Sequence, residues 1–363
     1  MKKILTLGGL SILVLIATAC TSADGPAGVT PTEELTLVEQ ETPTSTPLPT
    51  EAPVLESPTP EPLVLLSEVA SVGDLGSVVD VEVSGDIAYL ADSFGGLQVL
   101  DLSDPEQPSV VSTFDSPGST RGQGVFVAEP YLYLADGKGV RILDISDPTA
   151  PEELGFYDTL GFALDLQVVG DMAYVAAREG GFYIGNFADP ANPEHVSRIF
   201  DAGTDHVLDV LVSGGYAYVA MEGQGLRIVD VSDPANPAVV GSLDTEGMAE
   251  AVDLDGNLLY LADGEAGVKA IDVSDPAAPQ QIGAFDTPGY AQDVAKARLE
   301  DQLYVSDGSS RFLLVLDVSD PSELVLLTQY ETTGFVWGIT LSEPLAYLAS
   351  GERGLLILQI DAE

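Results

Sequence analysis

Cysteine occurs once, at position 20, histidine only at 195 and 206, and tryptophan only at 337 in a chain of 363 residues. A single cysteine excludes an intrachain disulfide and a thiolate zinc site, and two histidines exclude a centre that needs three imidazoles. Basic residues are scarce as well: 13 Lys and Arg stand against 58 Asp and Glu, a formal net charge of −45. A surface of that sign repels nucleic acid and anionic lipid, both of which are held by clustered Lys and Arg. No nucleic-acid partner is expected. Also missing are a Gly-rich phosphate loop ending in Lys-Ser or Lys-Thr, His-Glu-x-x-His and the Gly-x-Ser-x-Gly elbow. No segment carries a sustained helical period.

What is present begins with an address. Lys2-Lys3 precede an apolar and small run, Ile4 to Ala19, that stops at Cys20. The run is short for a bilayer span, so residues 1–19 read as a signal peptide. Ile16-Ala17-Thr18-Ala19-Cys20 resembles a bacterial lipoprotein lipobox, with Ala17 where Leu is usual. That resemblance implies acylation of Cys20 and a lipid-anchored protein on the extracytoplasmic side of the cell envelope; ordinary cleavage beside a leftover cysteine is the alternative. The acidic surface gives no other hold on a membrane. Residues 20–61 are dominated by Pro, Thr, Ser and Glu, as in ETPTSTPLPTEAP. Too little apolar surface is available there to offset chain entropy, so a disordered stalk is expected.

From 62 to 363 the chain repeats itself. Tyr89, Tyr133, Tyr174, Tyr218, Tyr260, Tyr304 and Tyr347 are each followed by an apolar run, such as LQVLD (97–101) or LRIVD (226–230). Six of the seven runs continue into Asp-Pro, at Pro105, Pro148, Pro190, Pro234, Pro276 and Pro321. Proline removes a donor and the preceding Asp bonds local backbone, so each pair ends a strand in a turn. Short alternating segments between turn residues give four strands per unit, A to D, and a period in the low forties suits propeller blades. The chain supplies seven strands of types A, B and C but six of type D. PLVLLSEVASVG (62–73) matches the D segment ELVLLTQYETTG (323–334). The expectation is an all-β, seven-bladed β-propeller of four-stranded antiparallel blades, closed by an N-terminal strand.

LRIVDVSDPANP (226–237) with YAYVAM (216–221) resembles the LVIVD repeat family, over residues 62–363. Unit three departs at Gly185-Asn186 and Ala188, and unit seven lacks the Ser-Asp-Pro end. The resemblance implies an extracytoplasmic, propeller-shaped protein. It implies no common activity.

Asp residues that recur in every unit read as turn formers, because a ligand breaks the symmetry of a ring and a turn does not. Function is therefore sought where units differ, in the residues leading into strand A beside the channel mouth. One row holds Ser77, Arg121, Phe162, His206, Met248, Tyr290 and Phe335; two positions on come Glu250, Gln292 and Trp337 among others. Aromatics with a few polar groups suit a peptide, protein or glycan. The competing reading is that the aromatics seal the channel or fill the space between blades. The candidate binding residues are Arg121, Phe162, His206, Met248, Tyr290, Gln292, Phe335 and Trp337. In the next row Asp80, Asp165, Asp209 and Asp293 offer carboxylates of the kind Ca²⁺ takes, although such groups also bond neighbouring amides. The favoured reading is a monomeric, non-catalytic binding protein without a cofactor. A metal-assisted lyase or hydrolase using the acidic row, and a structural envelope component without a discrete site, are the alternatives.

Overall fold

A computed structural model describes residues 64–116, 122–200 and 206–362. The expectations for residues 1–19, Cys20, the 20–61 segment and Arg121 lie outside them.

The alternation that marks each repeat becomes four antiparallel strands. In blade one these are Val78–Ser84, Ile87–Asp92, Gly96–Asp101 and Ser109–Phe114, in that spatial order from A to D. Five further blades repeat the A-B-C-D order in sequence. Blade seven takes strands A to C from Gly338–Ser342, Leu345–Ala349 and Leu355–Ala362, and its D strand from Val64–Val72. The seven-bladed ring closed by the N-terminal strand is thus observed, and all 28 strands of the described residues belong to it.

The N-terminal strand reproduces the D-strand pattern in detail. Every D strand carries a bulge at the same register, for instance opposite Val99/Leu100 and Ile228/Val229, and Val64–Val72 carries it between Glu68 and Ala70. The residue just past the bulge is small throughout: Ser112, Gly155, Ser197, Gly241, Gly283, Thr328 and Ala70 face the third residue of the C-strand run. Ser112 Oγ donates to the carbonyl of Pro148 in the next blade, and Ser197 Oγ to that of Pro234, both at 2.6 Å. The Asp-Pro corner of one blade is therefore docked on the bulge of the blade before it.

Apolar burial lies between the blades. Each of the seven buried clusters draws on two neighbouring blades; one combines Val81, Leu90 and Leu100 of blade one with Tyr347, Leu355 and Ile357 of blade seven. The seven repeated tyrosines are all buried in these slabs. A single blade could not bury both of its faces alone, so each depends on its neighbours for its core. The recurrent acids act as the repeats imply: Asp101, Asp144, Asp230, Asp272 and Asp317 each accept from the amide two residues on. Asp104 and its equivalents do the same in the following turn.

Candidate functional site

The D-to-A and B-to-C connections meet on one face, where an aspartate at the end of strand B fixes the loop in several blades. In blade six the Asp307 carboxylate at the end of strand B accepts from the amides of Gly289 and Tyr290, at 2.7 and 2.6 Å. In blade five Asp263 accepts from the amide of Gly247 and from Thr245 Oγ1, and in blade one Asp92 accepts from the amide of Ser77. In these three blades the loop into strand A is held by its own blade, so the side chain at its end is placed by backbone geometry.

The candidate residues are not gathered into an even ring. Tyr290, Gln292, Phe335 and Trp337 share one depression of about 830 Å³, with Glu250, Glu265, Asp286, Thr287 and Ser309 also lining it. The rings of Phe335 and Trp337 lie 4.5 Å apart, tilted by 38°. Trp337 remains 39% exposed, so this ring does not seal the core. Tyr290 Oη donates to Glu250 and stands 3.3 Å from Met248 Sδ, while Gln292 Nε2 donates to the other Glu250 oxygen at 3.2 Å. Met248 itself, 44% exposed, lines the adjoining depression with Lys269 and Glu246. Burial holds the Glu250 carboxyl above its ordinary range, against the bond from Tyr290, which lowers it. The Tyr290 phenol is pushed up, first by burial and then by its bond to Glu250, so it stays a donor.

The other members lie elsewhere on the same face. His206 Nδ1 is 2.5 Å from Glu222 Oε2, which also has Arg178 Nη2 at 3.9 Å. Phe162 lies over Gly137 at the turn between strands B and C of blade two, where a Cβ would meet its ring at 2.8 Å. Gly137 has φ of +77°, so both its conformation and the ring above it require glycine. Glu222, Glu265 and Asp286 were not singled out in the sequence. For Glu222 and Glu265 the signal was there in the loops after strand B, whose residues change from blade to blade while their lengths stay similar; Asp286 opens the loop after strand D.

The acidic row is engaged with backbone amides. Asp80 accepts from Val81 in its own blade and Val125 in the next, both at 2.8 Å. Asp209 bonds Val210 and Val252, and Asp293 bonds Val294 and Ile339, in the same way. Asp165 takes the Val210 amide at 3.3 Å. Each is a latch between neighbouring A strands through backbone amides, and Asp165 and Asp209 share a side-chain hydrogen bond as well. Asp253, two residues further along its strand, latches blade five to Lys296 of blade six. Among the described residues no group of three or more His, Cys, Asp or Glu could hold a metal ion. Burial pushes Asp80 up to about 6, and holds Asp165 and Asp293 well above the carboxylate range. Glu82, beside Asp80 at the channel, is pushed up to about 7, by burial first and then by the Asp80 charge.

Solved structures agree on the architecture. The β-propeller domain of Swd1 from Myceliophteria thermophila superposes with a TM-score of 0.68 at 12% identity, over 82% of this chain and 100% of that one. The WD40 repeats of RRP9 give 0.65 at 13% identity, over 82% and 97%. A computationally designed protein, Ika8, gives 0.60 at 9%, over 80% and 99%. At such identities the likeness is one of fold. No curated protein sequence matches the chain significantly. The sequence profile of the LVIVD repeat matches residues 75–116, 118–159, 160–200, 205–245, 246–287 and 288–332, six consecutive blades, and the chain therefore belongs to the LVIVD repeat family.

Proposed function

We propose that this protein is a lipid-anchored binding module of the cell envelope, facing the extracytoplasmic side, which presents its channel-mouth face to a protein, peptide or glycan and does not transform it. The observation that carries the reading is the depression in which Tyr290, Gln292, Phe335 and Trp337 come together, with the loop that ends at Tyr290 held by Asp307. Aromatic rings with exposed faces and a few fixed polar groups are the makings of a recognition site. Several of the solved structures that share the fold are WD40 domains, which fits a scaffold. Anchoring is assigned to Cys20 by its lipobox-like surroundings.

The test is recovery of partners from the native membrane with the full chain and with Trp337→Ala. Loss of a specific partner from the variant, at unchanged melting temperature, supports the assignment. An identical set of partners removes the depression from consideration.

A further inference from the structure

We infer that the depression between blades five, six and seven receives the cationic side chain, Lys or Arg, of a polypeptide partner, seated against Trp337 and Phe335 with Glu265 and Asp286 at its rim. This rests on the reading of that face as a binding face and adds the chemistry of its occupant.

The lining combines three rings, those of Tyr290, Phe335 and Trp337, with three carboxylates, those of Glu250, Glu265 and Asp286; no Lys or Arg is among the described residues around it. A ring face is electronegative and attracts a cation, and a carboxylate in the same small space reinforces that preference and rejects anions. The fold uses this combination internally. Arg141 lies over the ring of Phe156 at 4.7 Å while its guanidinium bonds Asp136 at 2.6 Å. Arg198 lies over Tyr183 at 5.6 Å. Among the described residues Phe335 and Trp337 have no such cation of their own. On the same face Lys269 is engaged, donating to the Ala266 carbonyl at 2.6 Å and lying 3.8 Å from Asp263, while Arg311 and Arg353 lie in neighbouring loops without lining the depression.

Thr287 adds an independent sign. It lines the same depression, is only 6% exposed, and its Oγ1 has no hydrogen-bond partner. Of its equivalents, Thr159, Thr245 and Thr332 bond partners within the chain, as in the 2.6 Å bond from Thr245 Oγ1 to Asp263, while Ser116 Oγ is buried without a partner among the described residues, as Thr287 is. A buried hydroxyl left over beside an open depression is a group for a ligand's backbone to use. The volume, about 830 Å³, exceeds what one ammonium or guanidinium fills, so the residues flanking the cation are accommodated too. That favours a polypeptide segment over a free amine.

Trp337 is the single tryptophan of the chain, so its emission reports this depression alone. The experiment titrates the full chain, in about 0.15 M salt to screen the overall negative field, with blocked Gly-Gly-X-Gly-Gly peptides where X is Lys, Arg, norleucine or Glu. Lys and Arg peptides should change the emission saturably, and norleucine and Glu peptides should not. Glu265→Gln with Asp286→Asn, both exposed positions, should weaken the cationic peptides about five-fold or more without moving the melting curve. If norleucine binds as well as lysine, the binding face stands and the cation inference falls. It falls also if affinity survives the double substitution, since attraction would then come from the whole surface. If no peptide perturbs Trp337 the inference is overturned, and partner recovery with Trp337→Ala decides separately whether the face binds anything.

Discussion

Ala70 stands opposite Ile357, the two joined in blade seven across almost the whole length of the described chain. Val69 is bulged out beside this pair, and Leu66 and Val72 help cover the slabs on either side of blade seven. The strand is thus a working D strand, and without it the C strand Leu355–Ala362 would be an open edge.

Deleting residues 62–71 should therefore lower stability by at least ~3 kcal/mol, the scale of losing two buried apolar side chains, and broaden the melt. Deleting residues 21–55 should leave the melt unchanged. Differential scanning calorimetry on both variants checks this; equal melting of the two deletions would contradict closure by that strand.

Stability should fall as pH rises from mild acid to neutrality. Asp80 and Glu82 hold protons up to about 6 and about 7 in the folded ring, while the unfolded chain releases them near 3.8 and 4.5. Between those limits the folded state binds more protons, so raising pH favours unfolding. The exposed turn residues Asp101, Asp144 and Asp230 have the opposite sign. Their carboxyls are lowered by bonds to the serine two residues on, and their contribution is lost as pH falls below the ordinary carboxylate range. The stability maximum should lie at about pH 4–5. Urea midpoints across pH 3–8 measure it, and Glu82→Gln should flatten the neutral limb.

Tyrosine should behave in two ways according to its row. Tyr304 is 1% exposed and its hydroxyl bonds Gln302, so Tyr304→Ala should cost about 3–5 kcal/mol of stability, as for other buried aromatics. Tyr290→Ala and Trp337→Ala should cost under ~1 kcal/mol in melting and about 1–3 kcal/mol in partner affinity. Melting curves and partner binding measured on the three variants separate the rows. A large loss of stability with binding intact at Tyr290 or Trp337 would return those rings to a packing role.

If Cys20 carries the proposed acyl anchor, Cys20→Ser should move the protein from the membrane fraction to the soluble or secreted one. Fractionation and immunoblotting read the outcome. Continued retention would mean a bound partner or a different anchor.

The ring was legible because its determinants are local and repeated. Tyr304, the Val315 run and Asp320-Pro321 each declare a strand or a turn without reference to distant residues, and the mismatch in strand counts assigned the segment 62–73 to blade seven, where the strand runs Val64–Val72. The site was legible only in part. The row containing Tyr290 and Phe335 follows from alignment of the units, but its members separate in space: His206 pairs with Glu222, Phe162 covers Gly137, and only two members share the depression with Gln292 and Trp337. Which neighbours approach depends on loop conformation after strand B, where Glu222 and Glu265 sit, and no periodicity encodes that. The role of the Asp293 row was open in sequence for a similar reason. A carboxylate facing a channel and one latching to Ile339 of the next blade occupy the same register.

The direction of the strand Val64–Val72 has a practical corollary. Val64 pairs with Ala362 and Val72 with Leu355, the first residue of its C strand, so the chain joins the ring on the face of the Asp-Pro corners and runs toward the face of Trp337. A handle fused upstream of Val64, whether an immobilisation tag, a fluorophore or a solid support, meets the disc from behind. The mouth is left unobstructed for titration, and the same fusion at the end of a D-to-A loop would stand in front of it.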